Sequence, residues 1–142
     1  PAGVLRLSDE QLRAVGLSGA KMAGVRSLAE FWERNDLSHE RLELMSNEEL
    51  IELLTQVKGI GPWTVKMILI FSLRRPDVMP HEDLGVRMGL KKIYALDSMP
   101  TPKETIAMSE HWAPYRSVAT WYLWRVLPIK EFTALPAKRR KK

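Results

Sequence analysis

The sequence predicts an all-α fold of short, closely connected helices. Apolar residues recur at helical spacing, as in Met22, Val25, Leu28, Ala29 and Trp32. Three capping boxes punctuate the chain, opening at Ser8, Ser46 and Thr101 with Gln11, Glu49 and Glu104 three residues on. No segment shows a convincing alternation of apolar and polar residues, the pattern of a half-buried strand.

The elements follow in order. Ser8 opens a short helix to about Val15, stopped by Gly16, and Ser18 caps a longer helix to about Arg34. Ser38 is placed to cap a further short turn. Ser46 opens an amphipathic helix whose stripe is Leu50, Ile51, Leu53 and Leu54, ending near Gln56. Pro62 stands where a helix can begin, because its missing N–H costs nothing in the first position. The helix from Trp63 to about Leu73 carries Val65, Met67, Ile68, Leu69, Ile70 and Phe71, apolar nearly all round, and is expected to be the buried central helix. Arg74-Arg75-Pro76-Asp77 breaks it, and Pro80 precedes a helix from about Glu82 to Tyr94. Thr101 opens another, with Pro102 at its first position. A last helix runs from about Tyr115 to Leu127, with Trp121 and Trp124 expected in the core. With no internal repeat or Gly/Ser linker, the helices should be antiparallel neighbours joined by short loops.

The 142 residues suffice for one compact domain, placed at 1–130, followed by a basic, disordered tail at 131–142. The chain has no cysteine, which excludes disulfides, thiolate metal sites and cysteine-held iron–sulfur clusters. No apolar run is long enough to span a bilayer, so no membrane partner is expected. The first residue is Pro1 rather than Met, which reads as a chain that is processed, trimmed or cut from a longer one. The net charge of +5 points to an anionic partner, nucleic acid first. The five cations Lys138, Arg139, Arg140, Lys141 and Lys142 equal that excess, so the body is near neutral and any DNA site must be local.

One such place is Val57-Lys58-Gly59-Ile60-Gly61-Pro62-Trp63-Thr64, a short glycine-bracketed turn between two helices. Glycine allows unusual backbone angles and the close approach of another chain. A helix starting at Pro62 directs free N–H groups and the positive end of its dipole into the turn, which suits a phosphate. The phosphate-binding candidates are Lys58, Gly59, Ile60, Gly61 and Thr64, with Ile60 also able to plug the turn into the core. A plain helix–helix turn without a ligand is the competing reading.

The stretch from Leu54 to Lys92 resembles the helix-hairpin-helix DNA glycosylase superfamily, most closely its 3-methyladenine DNA glycosylase II branch. Leu12 to Phe31 is similar to the helix pair that precedes the hairpin there, and Trp112 to Ala119 to its closing helix. The resemblance implies an alkali ion, Na+ or K+, held by the backbone carbonyls of Thr55, Val57 and Ile60, and no cofactor for the chemistry. It maps the catalytic acid of the family to Asp83 within His81-Glu82-Asp83-Leu84. A carboxylate suits the reaction, since cleavage of an N-glycosidic bond builds positive charge on the sugar. Position alone favours a helix cap for Asp83. Glu82 is expected to be a supporting or exposed group, and His81 a surface or packing residue.

Relatives that also cut the strand carry a lysine two residues after the second hairpin glycine; Trp63 stands there, and Lys66 one turn later is a weak substitute. The resemblance implies that Trp63 stacks on an extruded base, where a cationic alkylated purine gains cation–π attraction. Core packing is the alternative. Trp112 and Tyr115 are further base-pocket candidates. The family carries additional helices before the region where this sequence begins, so a fragment, a partner chain supplying them, or a reduced form is expected. The function implied is monofunctional removal of alkylated purines such as 3-methyladenine from double-stranded DNA, in a bacterial nucleoid or a eukaryotic nucleus. A non-catalytic DNA-binding module is the other reading, and it needs neither Asp83 nor Trp63.

Overall fold

The computed structural model describes residues 1–35 and 37–127. The expected basic tail at 131–142 lies outside them. The described residues form helices joined by turns, and no strand occurs among them. The chain divides into two compact units, Pro1–Leu69 and a second starting at Ile70.

The first unit holds α1 (Ala2–Leu5), α2 (Asp9–Ala14), α3 (Gly19–Asn35), α4 (His39–Leu44), α5 (Asn47–Leu54) and α6 (Pro62–Met67). The capping boxes at Ser8 and Ser46 form as the sequence predicts, each with side chain and backbone bonded reciprocally. Ser38 caps α4 by accepting from the Arg41 N–H at 3.1 Å. The single turn of α1 was not foreseen, since Pro1 provides no side-chain cap and four residues show no period. It packs on α3, as does α2, while α5 packs on α6 across the hairpin. Leu12, Met22, Ala29, Leu42, Leu50, Leu54, Val57 and Val65 are buried here.

The expected central helix is corrected in one respect. α6 is α-helical to Met67, but Ile68–Ser72 is a π-helical turn. Val65, Lys66 and Leu69 are buried, whereas the Phe71 ring is 59% exposed. An extra residue per turn rotates the end of the element, so an apolar run that reads as buried all round turns one aromatic outward.

The second unit holds α7 (Leu84–Ile93), α8 (Pro102–Ser109), a 3-10 turn at Glu110–Trp112 and α9 (Arg116–Arg125). Thr101 caps α8 in the predicted box. α7 packs on both α8 and α9. Met79, Val86, Leu90 and Leu123 form a core cluster, with Met108, Trp112 and Trp124 partly buried against it. Gly89 makes the α7–α9 crossing close: a Cβ there would lie 2.5 Å from the Leu123 carbonyl oxygen.

Candidate functional site

The hairpin belongs to the first unit. Val57 donates its N–H to the Leu54 carbonyl, and its own carbonyl accepts from the Ile60 N–H at 3.0 Å. Gly59 sits at φ +90°, in the left-handed region that side chains avoid. Gly61 differs from expectation: at φ −104° it needs no special backbone freedom. What it offers is space, because nothing lies within 4 Å of a Cβ built there. Val57 is buried, Ile60 half-buried, and Lys58 and Gly59 exposed. Pro62 opens α6 as predicted. Trp63, in its first turn, is 46% exposed, so its indole is not core. Lys66, at 7% exposure, lies buried on the same helix.

Asp83 belongs to the second unit. It caps α7, its Oδ1 accepting from the Val86 N–H at 2.8 Å. The same oxygen accepts from the Trp124 indole Nε1–H at 2.9 Å. Two donors from two helices therefore fix the orientation of the carboxyl group. Trp124 was expected to be core; it is half-buried, and its polar edge serves the acid. The Phe71 ring stacks on the Trp124 indole, with ring centroids 5.9 Å apart and planes 15° from parallel.

The segment leading to Asp83 runs along α9 in register. The Asp77 carboxylate takes a two-pronged ion pair from the Arg116 guanidinium, with Nη2 to Oδ2 at 2.7 Å. The buried Ser117 hydroxyl donates to the Arg75 carbonyl at 2.6 Å and accepts from the Val78 N–H at 3.0 Å. The Ser117 N–H donates to the Pro76 carbonyl at 2.8 Å. One turn on, the Thr120 hydroxyl meets the Met79 sulfur at 3.8 Å. One further turn on stands Trp124, on Asp83. Spacing of three to four residues puts these side chains on one face of α9. The Arg116 guanidinium holds the Asp77 carboxyl below the usual carboxylate range.

The neighbours of Asp83 behave as surface groups in part. His81 Nε2 lies 3.7 Å from Glu82 Oε2, both about one-third exposed. Trp112 packs against the core cluster, with His111 tilted on it at 5.0 Å. Tyr115 precedes α9 and is exposed. Trp121, expected in the core, is exposed instead and carries the Arg125 guanidinium 4.5 Å above its ring. Reading that face of α9 as core failed because the helix is aromatic on more than one side.

Sequence reasoning missed Trp124 as a partner of Asp83, and with it Phe71 and the Asp77–Arg116 pair. Local motifs do not reveal contacts between residues this far apart in the chain, 39 for Asp77–Arg116 and 41 for Asp83–Trp124. The one usable signal was chemical: a buried indole N–H needs an acceptor.

A glycine-edged hairpin comes before a helix-capping aspartate in this all-helical chain, and the comparison with known proteins gives the class. The chain belongs to the HhH-GPD superfamily of base excision DNA repair proteins, matched over residues 1–114. It is 43% identical over 134 residues to DNA-3-methyladenine glycosylase 1 of Schizosaccharomyces pombe, covering 94% of this chain and 59% of that protein. Its fold matches the solved S. pombe 3-methyladenine DNA glycosylase in complex with abasic DNA, with a TM-score of 0.81 and 45% identity, covering 88% of this chain and 61% of that one. It also matches a DNA-3-methyladenine glycosidase from Bacillus halodurans, with a TM-score of 0.79 and 36% identity, covering 93% and 61%. The chain thus spans about three-fifths of these relatives.

Proposed function

We propose that this chain carries the acid and the DNA-gripping hairpin of a monofunctional DNA glycosylase that releases alkylated purines such as 3-methyladenine. The observation that carries the reading is Asp83, capped into α7 and bonded by the Trp124 indole. A hairpin used for binding alone has no need of an acid held in this way.

Asp83 stabilises the positive charge that grows on the sugar as the glycosidic bond breaks, and it orients or deprotonates the attacking water. Fixing the carboxyl group beforehand reduces the reorganisation needed at the moment of reaction. The exposed Trp63 indole takes the extruded base against its face, and a cationic alkylated purine gains cation–π attraction there. Alkylated purines leave as good leaving groups, so little acid assistance is needed. No amine stands at position 63, and Lys66 is buried, so base release proceeds without a Schiff base and without strand cleavage.

The hairpin binds the DNA backbone. Gly59, Ile60, Gly61 and Thr64 present backbone to a phosphate, and the exposed Lys58 adds a cation. The carbonyls of Thr55, Val57 and Ile60 suit a Na+ or K+ ion, being hard, neutral oxygen donors just past the end of α5. Val57 uses one lone pair on the Ile60 N–H and keeps a second for a cation. Such an ion supplies positive charge beside the phosphate. The rest of the base pocket comes from the part of the fold that the relatives carry beyond the matched stretch, supplied in the same protein or by a second chain. The setting is the nucleoid of a bacterium or the nucleus of a eukaryote.

The test compares wild type with Asp83→Asn on a duplex bearing one methylated purine. Wild type should release the base, and the variant should bind the same duplex and release none. Equal binding with no release by either protein would contradict the enzyme reading and favour a DNA-binding module.

A further inference from the structure

The Asp77–Arg116 ion pair stands six residues before the acid and two helical turns before Trp124 on α9. Nothing in the proposed chemistry uses it. It nonetheless belongs to a series of contacts that tie the segment to successive positions of α9: Asp77 to Arg116, Arg75 and Val78 on either side of it to Ser117, Met79 to Thr120, and Asp83 to Trp124. An irregular segment laid along a helix can slip by one residue unless something fixes its register. Here the fixing is strong at the start: the fork of a guanidinium on a carboxylate, both about 30% exposed, plus three hydrogen bonds made by Ser117. Arg74, just ahead of this series, sits at φ +53°, a conformation that a non-glycine residue holds only when its surroundings impose it.

We propose that Asp77 and Arg116 are positioning residues for the acid: they set the register in which residues 75–83 lie along α9, and so deliver Asp83 to the Trp124 indole. The proposal takes Asp83 as the acid of the glycosylase reading, but the register itself is a property of the fold and can be read without catalysis.

The structural readout is the Trp124 indole N–H in a 1H–15N spectrum, assigned by Trp124→Phe and compared with the other four tryptophans as internal references. Asp83→Asn marks the shift produced when its acceptor changes. Asp77→Asn, nearly isosteric, should move the Trp124 signal and speed its exchange with solvent, leaving Trp32 and Trp63 in place. Arg116→Lys, which keeps the cation but loses the fork, should move it less. The exchanged pair Asp77→Arg with Arg116→Asp should return it toward wild type. In base release, Asp77→Asn should lower kcat on the order of 10²-fold, as a misplacement of about 1 Å does, with KM for the duplex within about twofold. A Trp124 signal unchanged in Asp77→Asn, while Asp83→Asn moves it, overturns the proposal. So does a folded Asp77→Asn with wild-type kcat in a protein whose wild type is active. If wild type releases no base but the indole signals respond as described, the register stands and the glycosylase reading falls.

Discussion

Asp83 caps α7 and is also the proposed acid, and asparagine separates the two tasks. Asn caps a helix about as well as Asp. Asp83→Asn should therefore leave α7 in place, with a melting temperature close to wild type, while removing the charge that base release requires. Asp83→Ala should cost an additional ~1 kcal/mol through the lost cap. A large stability loss in Asp83→Asn, measured by thermal melting, would mean that the side chain does more structural work than its Val86 and Trp124 bonds show. Gly61 allows a similarly clean separation. A Cβ there meets nothing within 4 Å and φ −104° suits any side chain, so with alanine in its place the free protein should fold normally. Its affinity for DNA should fall, and equally for all sequences, because phosphate contacts carry no sequence information. Titrations against several unrelated duplexes check this; a loss confined to one sequence contradicts it. At this scale the hairpin and Asp83 were legible because each lies in a contiguous motif. Trp124 was not, because its partner is 41 residues away and its periodicity is that of a core residue.

At the scale of elements, the capped helices could be read directly from the sequence: a serine or threonine with its partner three residues on specifies local hydrogen bonds that form whatever the tertiary context. The π-helical turn Ile68–Ser72 could not be read this way, since a run apolar on every side looks the same at either period. The close crossing of α7 on α9 has a faint signature in Gly85 and Gly89, one turn apart and both buried, but only the packed structure shows which backbone comes near. Gly89→Ala forces the helices apart, because its Cβ would stand 2.5 Å from the Leu123 carbonyl oxygen. Overpacking of this kind costs about 1–3 kcal/mol, partly offset by the better helix propensity of alanine. Chemical denaturation should show the loss. A neutral or stabilising Gly89→Ala would mean that α9 gives way easily, and the hold of its Trp124 on Asp83 would then be looser than described.

At the scale of the molecule, acidity should act through Asp77. Its carboxyl is held below the ordinary range by Arg116, so its stabilising contribution is fully present above the unfolded value of about 3.9. That contribution is lost as pH falls through the lower, folded value. Melting temperatures measured from neutral pH downward should decline more steeply below about pH 4 in wild type than in Asp77→Asn. Parallel curves would contradict the pair's role. The formal charge of +5 equals the five cations at residues 138–142, so the proposed DNA contact of the body rests on the local hairpin rather than on a broad basic face.

The proposed release of a base by Asp83 without strand cleavage is tested most directly by incubating the protein with a duplex carrying one 3-methyladenine and measuring both free base and strand breaks. Base should appear with wild type, the strand should stay intact until treated with alkali, and Asp83→Asn should give neither product. Strand breaks without alkali, or base release that survives in Asp83→Asn, would contradict it.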